Sequence, residues 1–360
     1  MNAIRGTGFQ LPNRANSTDS FGKAVVCALD MVSEVPTARW DLPTYKQAEV
    51  FAISRVRHGG FMIGTELFHG ACFSISAAEA YAMDPQQRLL LENAYQALHA
   101  AGEHKASLLA TCVGLAAGIT QTEYGFVLSA SPAGSSVYAS TGASLSVASG
   151  RLSYVFGLHG PCAACETACS SALVASHSAT RALRYGECEV HVAVGVNMML
   201  LPSTSLGLAL AGMTSPTGRS HTFDYRADGF ARGEGCGVAA LYVKGMKTGL
   251  SGSAVRQDGR SASLTAPNGQ AQLALLEAAL TDAMLQPMEL TMAETHGTGT
   301  ALGDPIEFGS LTAGVLRHRT AASPPLATVG LKANSGHGES AAGLTGLIKL
   351  GVGLQARTAA

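Results

Sequence analysis

The chain has 360 residues, a formal charge of −1, 47% hydrophobic and only 14% charged residues, which allows a large core and little charged surface. That balance gives no support for nucleic-acid or anionic-membrane binding, and no apolar run approaches the ~20 residues that span a bilayer. Eight cysteines without small-domain spacing, and an N-terminus without a basic start and apolar stretch, fit reduced thiols in a cytoplasmic setting.

The length suits two domains or one duplicated domain. In chain order, Ile4 to Pro12 reads as a short strand, followed by a helix near Ser20 to Leu29. The lone tryptophan, Trp40, is expected to anchor a surface segment on the body of the protein. Asp84-Pro85 is an N-cap followed by a first-turn proline, so a helix starts there, with Leu90, Ala94, Ala97 and Leu98 on one face and Gly102 at its end. Cys112 to Gly118, Val190 to Val196 and Cys236 to Val243 read as buried strands. Between them lie a helix from about Leu173 to Arg184, closed by Gly186, and a Gly-rich loop of paired charges from Phe223 to Gly235. Thr265 to Gly269 precedes a helix to about Ala283. The alternation of buried strand and helix predicts an α/β core.

Glu166-Thr167-Ala168-Cys169-Ser170-Ser171-Ala172 places a thiol where a sharp turn enters a helix. The positive end of the helix dipole and free backbone N–H groups there favour the thiolate. A cysteine in an apolar chain is more often a core residue, and Cys162-x-x-Cys165 followed by Cys169 could also be read as metal ligands, although they would crowd one turn. Two later histidines raise the nucleophile reading. Glu294 to Glu307 and Leu331 to Glu339 are loops in which His296 and His337 have glycine neighbours that would let a substrate approach. One cysteine at a helix start with two such imidazoles suggests thioester chemistry.

With these residues in hand, the chain resembles a β-ketoacyl synthase (ketosynthase) of the type I polyketide and fatty acid synthase kind. The resemblance rests on Thr167 to Ser171, on His296-Gly297-Thr298-Gly299-Thr300 with Gly303 to Glu307, and on Lys332 to His337; Met83 to Glu92, Asp224 to Gly235 and Gly252 to Gly269 agree. It implies a layered αβαβα thiolase-like fold of two similar halves, residues 1–245 carrying Cys169 and 246–360 carrying the histidines. It implies decarboxylative condensation of an acyl group on Cys169 with a malonyl-type extender, in polyketide or fatty acid synthesis. His296 and His337 would stabilise the enolate in a dry site. Lys332 would support them electrostatically, with Asp304 and Glu307 in a network behind, and Thr298 and Thr300 would bind the pantetheine arm. No cofactor or metal of its own is implied. The implied partners are acyl carrier protein bearing phosphopantetheine, a second copy in a homodimer, and other synthase domains. Glu166, Ala172, Ala333 and Ser335 depart from the family's usual residues. The family continues to a Gly-Phe-Gly-Gly-Thr-Asn segment that supplies a second oxyanion donor. This chain stops at Ala360, so an incomplete second half is expected, and a silent scaffold that dimerises or docks carrier protein is the alternative.

Overall fold

A computed structural model describes residues 2–41, 50–120, 123–245 and 248–356. The expected boundary between the halves, Gly245/Met246, abuts two residues outside that set, Met246 and Lys247.

The elements that position the site are, in order, β1 (Asn2–Gln10), α1 (Pro85–Ala100), β2 (Val113–Ile119), α2 (Leu145–Phe156), β3 (Cys162–Cys165), α3 (Ser171–Tyr185), β4 (Val190–Asn197), β5 (Gly235–Tyr242), β6 (Thr248–Leu250), α4 (Gly269–Ala283), β7 (Met292–Glu294), α5 (Gly303–Gly314), β8 (Ala327–Val329) and α6 (Ala342–Ala356). Six strands form one sheet in the order β3-β2-β4-β5-β1-β6. β2 runs parallel to β3 and β4, with Leu115 opposite Cys162 and Val192, whereas β5 is antiparallel to both β4 and β1. β7 and β8 form a separate parallel pair.

The central strands β2, β4 and β5 are buried on both faces, so they are continuous apolar runs rather than alternating ones. Successive side chains still point to opposite layers. Val192, Val194 and Val196 of β4 join Leu90, Leu91 and Leu98 of α1 and Leu152 and Phe156 of α2. Ala193 and Leu241 face Ala179 and Leu183 of α3, and Ala239 meets Ala172, Leu344 and Ile348 of α3 and α6. Helices α3 and α6 are therefore an inner layer. On its far side, Glu294 of β7 accepts from Lys349 of α6 at 2.9 Å, an almost fully buried ion pair.

The N-cap on α1 is as the sequence predicts: Asp84 accepts from Gln86 N at 2.8 Å, with Pro85 in the first turn. Trp40 is 9% exposed and packs edge-on against Phe61 at 5.8 Å, the anchoring role expected of it. One element differs. Gly303 to Glu307 reads as the tail of a loop but is the opening of helix α5. Small residues and a proline after Gly303 read as a turn, and the cap here, Gly303 N donating to Thr300 Oγ1, comes from a threonine three residues back rather than from an N-cap side chain.

Candidate functional site

Strand β3 delivers the chain to an elbow. Ala168 turns into the left-handed region, φ +52°, and Ala168–Ser170 form a single 3₁₀ turn before α3 begins. A non-glycine residue there is uncommon and needs support. Thr167 N donates to Ser171 Oγ at 2.8 Å, Ser171 Oγ donates to Ala168 O at 2.7 Å, and Ser170 Oγ donates to Thr167 O at 2.8 Å. Glycines let this turn sit directly on the sheet. A Cβ on Gly118 of β2 would lie 2.4 Å from Ala172 N, and one on Gly195 of β4 would lie 2.6 Å from Ala172 Cβ.

The thiol's charge state differs from the expectation. Burial pushes the Cys169 pKa up, and Glu339 adds to the rise, while Lys332 and the residue's own N–H oppose it. Desolvation outweighs both because the sulfur sits below the surface of the elbow. The direction of the shift leaves Cys169 as a thiol at neutral pH.

His337 is fixed by its backbone. His337 N donates to Ala231 O at 2.7 Å and Gly233 N donates to His337 O at 2.8 Å. Gly336, φ +74°, allows this approach: a Cβ there would meet Arg232 O at 2.8 Å. Nδ1 accepts from Glu339 N at 3.2 Å, so the proton is on Nε2. Arg232 is 4% exposed, pairs with Glu339 through two nitrogens and donates to Ser205 Oγ at 2.7 Å. Phe230 packs edge-on to the imidazole at 5.2 Å.

His296 follows β7 and is held by two carboxylates of α5. Glu307 accepts from His296 N and Gly297 N at 2.6 and 2.7 Å. Asp304, 3% exposed, accepts from Gly299 N at 3.0 Å, Thr300 N at 3.3 Å and Phe223 N at 2.8 Å. Thr298 and Thr300 share a hydroxyl hydrogen bond of 3.2 Å, and Thr300 Oγ1 accepts from Gly303 N at the start of α5.

These three supports converge. A ligand atom from each of Cys169, His296 and His337 lies within 4.8 Å of the others, and the imidazoles stand perpendicular with centroids 5.4 Å apart. His337 is buried, Cys169 half-buried and His296 exposed, so the pocket is dry on one side and open on the other rather than dry throughout. Burial, with Lys332, His296 and Arg232 nearby, pushes the His337 pKa well down. His296 reaches the open side, but protein atoms crowd around its ring, and that desolvation with Lys332 lowers its pKa to about 3, so both imidazoles are neutral. Lys332 is buried and its own pKa is lowered; Glu294 and Glu307 oppose that shift. Glu294 also accepts from Leu331 N at 2.6 Å, tying the Lys332 turn to β7.

The chemistry available is a thiol nucleophile facing two neutral hydrogen-bonding imidazoles. Sulfur and two nitrogens at this spacing could also take a soft metal ion, but an ion there would occupy the nucleophile. Cys162 and Cys165 lie on β3 outside the cluster. Sequence reading missed Arg232, Glu339, Glu294 and Lys349 as supports. Their signal was a charge in an otherwise apolar or Gly-rich run, and their partners are distant in sequence.

Comparison with known proteins gives a consistent picture. The family models for the β-ketoacyl synthase N-terminal and C-terminal domains match residues 3–244 and 248–360. The chain is 40% identical to one phenolphthiocerol/phthiocerol polyketide synthase polypeptide of Mycobacterium tuberculosis, over 98% of this chain and 20% of that protein. It is 41% identical to another polypeptide of the same synthase from the same species, over 98% of this chain and 19% of that protein. The chain thus spans about a fifth of the length of these curated relatives. Among solved structures, the ketosynthase from module 6 of the bacillaene synthase of Bacillus subtilis 168 superposes with a TM-score of 0.90 at 30% identity, covering 98% of this chain and 61% of that one. The oxazolomycin ketosynthase domain of Streptomyces albus JA3453 superposes with a TM-score of 0.90 at 31% identity, covering 98% and 62%.

Proposed function

The chain belongs to the β-ketoacyl synthase family, and from that premise we propose that it is a condensing acyltransferase that extends an acyl group held on Cys169 with a malonyl-type unit carried by acyl carrier protein. The observation that carries this reading is the convergence of one thiol and two neutral imidazoles within 4.8 Å.

Loading exchanges thioesters. Cys169 Sγ attacks the acyl carbonyl, the bond to the pantetheine sulfur breaks, and the leaving sulfur takes the proton that Cys169 gives up. The Cys169 N–H lies beside the sulfur at the helix start and is a donor for the transient oxyanion. Extension then begins with loss of carbon dioxide from the malonyl thioester, and the electron pair of the broken carbon–carbon bond becomes an enolate. The His337 tautomer leaves Nε2–H as a donor to that enolate oxygen, and His296 is the second donor. Preorganised donors of this kind are worth about 3 kcal/mol each. The enolate carbon attacks the acyl-Cys169 carbonyl, forming the new carbon–carbon bond and breaking the bond to Cys169 sulfur, which leaves as a thiolate and takes a proton from solvent through the open side of the pocket.

Lys332, near Cys169 and both imidazoles, stabilises negative charge as it develops. Asp304 and Glu307 hold the His296 loop, and Thr298 and Thr300 on that loop hydrogen-bond the pantetheine arm. Residues 1–245 and 246–360 act as the two halves of one catalytic unit. A homodimer fits the free outer edge of β3, which pairs only with β2 among the described residues and carries the exposed, uncharged Cys162, Ala163 and Ala164. Among the described residues no helix is long and apolar enough to cross a membrane.

Intact-protein mass spectrometry after incubation with a simple acyl thioester tests the reading. The wild type gains one acyl mass and Cys169→Ala gains none. His296→Ala and His337→Ala keep loading, but release of carbon dioxide from malonyl carrier protein falls about a hundredfold or more in each. A folded wild type that takes up no acyl group would refute the proposal and favour a scaffold that binds carrier protein without chemistry.

A further inference from the structure

A second polar cluster lies on the far side of Arg232 from the imidazoles. Trp40, His58, Phe61, Ser205, Thr214 and Arg232 border a cavity with about 10 Å³ open to the centre of a water-sized sphere. Three polar side-chain atoms of these residues, Trp40 Nε1, His58 Nδ1 and Thr214 Oγ1, are buried without a hydrogen-bond partner among the described residues. Trp40 is 9% exposed and Thr214 2% exposed. Leaving such atoms unpaired costs about 1–3 kcal/mol each, and buried polar groups in folded proteins are almost always satisfied by protein or by ordered water.

We infer that this cavity binds one water molecule that joins the three atoms. Its size is that of roughly one water. The chemistry also matches. The indole N–H can only donate, so it needs an acceptor; a hydroxyl can do either; and His58, held neutral by burial and the nearby Arg219, has a ring nitrogen free to accept or donate. A water accepts from Trp40, donates to or accepts from His58 and exchanges a bond with Thr214, which uses three of its four positions. The surrounding backbone is rigid: Thr214 bridges Phe230, Ser215 N donates to Phe230 O at 3.0 Å, and Arg55 donates to Thr214 O. The water therefore links the Trp40 segment to the strand-like run of Phe230 to Arg232, the same run that seats His337 through Ala231 O and Gly233 N. It is a structural ligand of the scaffold behind the imidazole and touches no reacting atom.

Trp40 is the single tryptophan, so its indole gives one N–H resonance in a nitrogen-15 spectrum of the full chain. A nuclear Overhauser contact from that proton to a long-lived water, with the sign of a bound molecule, is the expected result. In Thr214→Ser, which keeps a hydroxyl, the contact stays; in Thr214→Val it weakens severalfold and the indole resonance shifts. A folded wild type whose indole proton shows no bound-water contact would overturn the inference, whether the cavity is dry or holds an ion. So would an undiminished contact in Thr214→Val. The wild-type measurement decides the question even if the valine variant fails to fold.

Discussion

Asp304→Asn is the most informative single change because the carboxylate does its work through backbone contacts alone. In the wild type its two oxygens accept from Gly299 N, Thr300 N and Phe223 N at 2.8 to 3.3 Å, with the side chain 3% exposed. Asparagine has nearly the same shape but one acceptor oxygen. If that oxygen keeps the Gly299 and Thr300 bonds, the amide NH₂ faces Phe223 N–H, and two donors meet in a buried site. An orphaned buried donor costs about 1–3 kcal/mol, and the remaining bonds lose their charge assistance, roughly another 1 kcal/mol. The predicted loss is therefore about 3 kcal/mol of stability. Gly299 and Thr300 lie on the loop that carries His296, so weakening their charge-assisted bonds loosens the registration of the imidazole, and a displacement near 1 Å can cost about a hundredfold in rate. Urea unfolding followed by circular dichroism reads the first effect. The second appears as slower malonyl decarboxylation while acyl loading of Cys169, whose elbow does not touch Asp304, persists. An unchanged urea midpoint together with unchanged decarboxylation would refute the claim that this carboxylate holds the His296 loop.

Two further outcomes follow from the packing and the buried imidazoles. Gly118→Ala places a methyl group 2.4 Å from Ala172 N and 2.5 Å from Ser171 C, and neither backbone atom can give way, so stability falls by about 3 kcal/mol and acyl loading slows as the elbow is pushed off β2; a wild-type urea midpoint would contradict the close approach. His191→Leu tests pH linkage. His191 is 2% exposed and its pKa is lowered to about 4 by burial. Because the unfolded chain takes the proton first, near pH 6.5, wild-type stability from this group is complete above that value and is lost as pH falls toward the folded pKa, by about 1.4 kcal/mol per unit. The leucine variant, which cannot titrate there, should gain about 3 kcal/mol relative to wild type between pH 6.5 and 4, and a difference that stays constant with pH would rule out a neutral buried imidazole.

Much of the molecule is legible along the chain because its signals are local. The buried strands are short apolar runs, α1 announces itself by Asp84-Pro85, and α3 ends at Gly186, φ +73°. Cys169 and both histidines stand out because glycines and small residues surround them, which a reacting centre needs for access. The opening of α5 was not legible, since its early carboxylates Asp304 and Glu307 accept from the loops of His296 and Phe223 rather than marking their own helix.

Sequence by itself determined the layered α/β class and the family, and singled out the candidate reacting groups, because each depends on residue identity and short spacings. Tertiary structure alone decided their charge and aim. Cys169 is a thiol at neutral pH because desolvation at the folded elbow exceeds the opposing pull of Lys332 and of its own backbone N–H. His337 carries its proton on Nε2 because Glu339 N reaches Nδ1, and Glu339 is held by Arg232, more than a hundred residues earlier in the chain. Burial and long-range charge depend on which distant segments come to lie together, and no local pattern of side chains encodes that.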